Sequence, residues 1–116
     1  MIKDVVTIGP EDVVASAKLK MIRLGIGGMP VVEDGKVVGM ITHRDVILIG
    51  ERASTMKVGE VMTMDILTVD VGTPIRTVAE HMRKTGYQRI PVLEGDRLAG
   101  LVTQSSIIAA FLEGTG

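Results

Sequence analysis

The chain has 116 residues and a mass of 12.4 kDa, with 46% hydrophobic and 23% charged residues, a balance that excludes a disordered protein and fits one domain or two small units sharing a core. A formal net charge of -1 gives no long-range pull on nucleic acid or an acidic membrane, and Tyr87 and Phe111, the only aromatic residues, cannot build a platform for successive bases. The lack of cysteine excludes disulfides, thiolate metal sites and a cysteine nucleophile, and no run approaches the roughly 20 apolar residues that span a bilayer.

In chain order, Val5 to Ile8 reads as an extended segment, followed by Pro10 near a helix start, where a missing N–H costs little. Val14, Ala17, Met21 and Leu24 then recur at helical spacing as a core face, and Gly25 is placed to end the helix in a left-handed cap. Met29-Pro-Val-Val32 and Lys36-Val-Val-Gly-Met-Ile41 flank Glu33-Asp-Gly35, which predicts a hairpin of two short strands. A short apolar helix containing Val46-Ile-Leu-Ile49 follows. The same order then returns: Ile66 to Val69 extended, Pro74, a helix carrying Ile75, Val78 and Met82 that ends at Gly86, a hairpin around Glu94-Gly-Asp96, and the apolar run Ile107-Ile-Ala-Ala-Phe-Leu112.

The two halves match without gaps, residues 5 to 47 lying on residues 66 to 108 at a constant offset of 61. Thr7, Met21, Gly25, Pro30, Val31, Glu33, Gly39, Thr42 and Ile47 meet identical residues in the second half. Two copies are too few for a solenoid, so the chain is expected to be a closed pair related by a pseudo-twofold axis. The predicted class is α/β, each repeat running strand-helix-strand-strand-helix, with helices packed on small mixed sheets. The first domain is expected over residues 1–50, a connector over 51–65 and the second domain over 66–116.

Thr42 and Asp45 stand between a predicted strand and a helix. Taken alone, T-x-x-D there is a capping signature that satisfies backbone N–H groups. The same helix start could hold a phosphate beside the Thr42 hydroxyl, and an ionised Asp45 could accept from both hydroxyls of a ribose.

The pattern Gly39-Met-Ile-Thr-His-Arg-Asp45 after Met29-Pro-Val, its counterpart Gly100-Leu-Val-Thr-Gln-Ser-Ser106 after Arg89-Ile-Pro-Val92, and the lead-in Lys57-Val-Gly-Glu-Val-Met-Thr63 closely resemble the CBS domain, over nearly the whole chain. The resemblance implies a tandem CBS pair, or Bateman module, whose two repeats hold AMP, ADP, ATP or S-adenosylmethionine in a cleft, and two such modules often associate. It gives Asp45 the ribose and Thr42 the phosphate, and sets the base against Ile66 and Leu67, with Met64 joining that wall. One or both of Ile66 and Leu67 could equally be plain core. It also implies that His43, Arg44 and Arg89 neutralise phosphate, against the alternative of a solvated charged edge. Ser106 replaces the acid in the second copy, so a weaker second site is expected near Thr103, Ser106, Val5 and Val6. No lead-in precedes the first copy, which is either naturally short or part of a fragment of a larger protein.

His43 and His81 are the only histidines and form no metal motif or Ser-His-acid spacing, so neither a metal site nor catalysis is expected. The expected partners are the nucleotide, a second copy of the chain and a fused or separate effector, with no nucleic acid and no membrane. No cofactor is required, and magnesium beside a polyphosphate is left open. The start Met1-Ile-Lys-Asp4 lacks a signal peptide's apolar stretch, and a cytoplasmic protein is expected. The rival reading is a ligand-independent dimerisation module, because one helix face cannot bury all of Val46 to Ile49 or Ile107 to Leu112.

Overall fold

The computed structural model describes residues 3–112 and the side chains of residues 3–108. The chain divides into two compact units, one running from Val6 to Ile66 and the other taking the residues before Val6 together with those from Leu67 onward.

In the first unit, α1 (Val14–Leu24) leads into β1 (Gly28–Glu33), β2 (Lys36–Thr42) and α2 (His43–Ile49), followed by a 3-10 turn (Gly50–Ser54) and α3 (Val58–Val61). Val14, Ala17 and Met21 bury one face of α1, as their spacing predicts. Leu24, the last residue of the helix, does not join them and is 54% exposed. Gly25 adopts a φ of 64°, the left-handed conformation that an L side chain resists, and its N–H closes the helix on the Met21 carbonyl. Pro10 is not at the helix start but in a turn four residues earlier, and Val13 is the N-cap.

β1 and β2 are antiparallel, with a bulge that shifts the register between Val31 and Val32. The extended segment Val5 to Ile8 reduces to one parallel bridge, Ile8 to Val31. There Ile8 donates to the Pro30 carbonyl and accepts from the Val32 N–H, so the buried Pro30 sits where its missing N–H is not called upon. Ile8, Met29, Val31, Ile41, Val46 and Val58 meet in the core.

The second unit repeats the plan as β3 (Val69–Asp70), α4 (Ile75–Thr85), β4 (Arg89–Glu94), β5 (Arg97–Thr103) and α5 (Gln104–Leu112). β3 pairs with β4 in parallel through Val69 and Val92, the offset partners of Ile8 and Val31. The register shift recurs between Val92 and Leu93, and β5 shows the same burial pattern as β2. Pro74 is the N-cap of α4 and Gly86 its left-handed cap, with a φ of 77°. Val69, Val78, Ile90, Val92, Val102 and Ile107 form this unit's core, against which Ile75 and Met82 pack.

Residues 51–65 are part of the first unit rather than a free tether. Val58 is fully buried. Val14 N–H donates to the Met56 carbonyl (2.9 Å), Val58 N–H to Asp12 (2.8 Å) and Gly59 N–H to Pro10 (2.8 Å). Among the described residues no helix is long and apolar enough to cross a membrane.

Candidate functional site

The structure brings Thr42 and Asp45 together where β2 passes into α2. Thr42 is extended, so its backbone N–H and hydroxyl face the first helical turn. Its N–H donates to Asp45 Oδ2 (2.9 Å), as does its hydroxyl (3.1 Å), while Asp45 N–H donates back to the Thr42 hydroxyl (3.4 Å). The capping box read from the sequence is therefore formed, and both residues are half-buried.

A third donor was not foreseen. The Thr63 hydroxyl donates to Asp45, 3.3 Å from Oδ1 and 3.5 Å from Oδ2. Thr63 is held there by two backbone hydrogen bonds with Met40, 2.9 and 2.8 Å, which add it to the free edge of β2. Gly39 lets it approach, since a Cβ at that position would lie 2.9 Å from the Thr63 carbonyl and 2.8 Å from Met62 Sδ. The duplication could not reveal Thr63, because residues 48 to 65 lie outside the matched blocks.

His43 and Arg44 are exposed on the first turn of α2. His43 also lines a hollow of about 310 Å³ between α1 and α2, with Met21, Ile22, Val46 and Ile47. The counterpart in the second unit, about 360 Å³, lies between α4 and α5 against Met82, Tyr87 and Ile107. Neither hollow includes Thr42 or Asp45. Met64 is 73% exposed and Ile66 half-buried at the end of the first unit. Leu67 packs against the core of the second unit, as a purely structural residue would.

Arg89, half-buried, opens β4 opposite Thr103. Thr103 and Ser106 repeat the capping geometry without a carboxylate: Ser106 N–H donates to Thr103 Oγ1 (3.2 Å), and the two hydroxyls are 3.1 Å apart. Val6 packs against the core of the first unit, and Val5 is half-buried. Among the described residues, no three His, Cys, Asp or Glu side chains gather as metal ligands would.

The expected apolar surplus of the short helices is visible in α2, where Val46 is buried but Ile47 and Leu48 are 66% and 75% exposed. Ile22 on α1 is 68% exposed. In α5 Ile107 is buried and Ile108 is 53% exposed, while the side chains of residues 109–112, which complete the run read in the sequence, lie outside those described.

Comparison with known proteins also finds two copies, the second match starting at residue 58, inside the first unit. A family model described as the CBS domain matches residues 1–51 and again 58–113. Inosine-5'-monophosphate dehydrogenase of Methanocaldococcus jannaschii is 37% identical over 110 residues, covering 93% of this chain and 22% of the dehydrogenase. The chain thus spans about a fifth of the length of that relative. A CBS-domain containing protein from Agrobacterium tumefaciens is 28% identical, with a TM-score of 0.81, covering 94% of this chain and 90% of the other. A CBS-pair protein from Arabidopsis thaliana, solved in complex with AMP, shares the fold at a TM-score of 0.86 and 24% identity, covering 97% of this chain and 91% of the other.

Proposed function

Because the chain belongs to the CBS-domain family and carries two copies of that domain, we propose that it binds an adenosine-containing nucleotide, AMP, ADP, ATP or S-adenosylmethionine, and reports occupancy as a conformational change. CBS pairs are regulatory modules, and this chain is one. In the proposed reading a fused or separate effector responds because its two states bind nucleotide with different affinity. A dehydrogenase like the curated relative is one effector to which such a module would be fused. The chain performs no chemistry of its own and acts in the cytoplasm.

The observation that carries this reading is the half-buried Asp45 carboxylate, aimed by Thr42 and by Thr63. A carboxylate has about four lone-pair sites, and Thr42 and Thr63 take three of them here, so Asp45 can accept one ribose hydroxyl directly and the second when Thr63 gives up its place. In this reading Thr42 receives phosphate, His43, Arg44 and Arg89 offset its charge with or without magnesium, and Met64, Ile66 and Leu67 flank the base. Thr103, Ser106, Val5 and Val6 make the weaker second site, since a hydroxyl replaces the acid. The Arabidopsis protein, alike in fold and solved with AMP, supports the ligand class.

A thermal-shift and calorimetric screen with AMP, ADP, ATP and S-adenosylmethionine tests the proposal. Ligand at about 100 times its dissociation constant should add roughly 2.7 kcal/mol of stability. If none of the four shifts unfolding or releases heat, the nucleotide reading fails.

A second reading, a dimerisation module independent of ligand, is favoured by the exposed Ile22, Ile47 and Leu48. It is compatible with the first, and sedimentation with and without nucleotide separates them: association unchanged by ligand would support the second reading alone.

A further inference from the structure

We infer that Thr63 is a positioning residue for the nucleotide, orienting the Asp45 carboxylate from outside the helix that carries it. The inference rests on the proposed role of Asp45. Capping does not require Thr63, because Thr42 and Asp45 complete the box between themselves. The second repeat closes its own helix start with Thr103 and Ser106, where no carboxylate stands.

What Thr63 adds is a donor near Asp45 Oδ1, the oxygen not engaged by Thr42. A short acidic side chain held through one oxygen retains freedom about its last bond, and a donor at the second oxygen fixes the plane of the group. The Thr63 backbone is pinned in turn by both hydrogen bonds to Met40 and by the close approach at Gly39. Thr63 also immediately precedes Met64 to Ile66, the stretch proposed to flank the base. One residue therefore joins the ribose acceptor to the segment that enters the second repeat. A ribose hydroxyl arriving at Oδ1 must share that oxygen with Thr63, so occupancy is felt directly by this segment.

Calorimetric titration of AMP into the wild type, Thr63→Val, Thr63→Ser, Asp45→Ala and the Asp45→Ala/Thr63→Val double variant tests the inference. Thr63→Val, which keeps the shape and loses the hydroxyl, should weaken AMP about 3- to 10-fold, the effect of one hydrogen bond to a charged, partly solvated group. Thr63→Ser should bind within about 2-fold of the wild type. In the Asp45→Ala background Thr63→Val should cost nothing further, because the two act as one unit. An equal loss in both backgrounds, or no loss in either, overturns the inference while leaving the nucleotide reading standing. If the wild type binds ADP, ATP or S-adenosylmethionine in place of AMP, the same cycle is run with that ligand, and a wild type that binds none of the four removes both. If Thr63→Val does not fold, Thr63→Ala in the same cycle gives the same comparison.

Discussion

Val58→Ala tests whether the segment after α2 is a tether or part of the first unit. Val58 is fully buried among the core residues of that unit. Losing two methyl groups forfeits about 1.6 kcal/mol of burial at roughly 0.8 kcal/mol per carbon. A residual cavity of roughly 40 Å³ adds about 1 kcal/mol at about 24 cal/mol per Å³. The sum, about 2 to 3 kcal/mol, corresponds to a fall in Tm of about 8 to 12 °C for a chain of this size. Differential scanning calorimetry should show that fall, whereas Val71→Ala, at a site 43% exposed in the second unit, should move Tm by less than about 2 °C. Equal, small shifts in the two variants would refute the packing argument and make residues 51–65 a simple linker.

Gly39→Ala should destabilise the protein by about 2 kcal/mol in urea titration, because the new Cβ meets the Thr63 carbonyl and displaces a strand held by two backbone hydrogen bonds worth about 1 kcal/mol each. Lys57 lies 2.6 Å from Glu11, whose hydrogen bond and charge hold the ammonium above its ordinary pKa. That contribution is fully present below the pKa of Lys57 in the unfolded chain and is lost as pH rises through the higher folded value. Glu11→Gln should therefore flatten the alkaline fall in stability, as read by thermal melts across pH. Both groups are exposed, so the effect should be small and should shrink in salt. Leu48→Glu, at a side chain 75% exposed, should leave far-UV circular dichroism unchanged and weaken self-association by about 10-fold or more in sedimentation, since it buries an unpaired charge in the proposed contact.

The duplication made most of the fold legible. One ungapped offset carries the hairpins, the left-handed caps at Gly25 and Gly86, and the parallel pairings of Ile8 and Val69. Even the two register shifts fall at matching places. Pro74 stands at the start of α4 as its N-cap, whereas Pro10 lies in a turn four residues before α1, and the two prolines do not obey the offset of 61. Leu24 kept the helical spacing yet is exposed, since periodicity marks a helix face and not where the core beneath it stops. Residues 51–65 were hardest to read, having no internal counterpart for comparison. The contacts of Val58 and Thr63 span the chain and leave no local pattern. At the site, the Thr42–Asp45 pair was readable because capping is a local event three residues long, whereas the donation from Thr63 crosses eighteen residues and depends on the bare backbone at Gly39.

The most direct test removes the sugar hydroxyls instead of the protein's carboxylate. Calorimetry of AMP and 2',3'-dideoxy-AMP on the wild type and on Asp45→Ala should show the wild type preferring AMP by about 10- to 100-fold, the loss of charge-assisted hydrogen bonds, and the variant losing that preference. A variant that still discriminates as strongly as the wild type would place the ribose elsewhere and leave Asp45 as nothing more than the cap of α2.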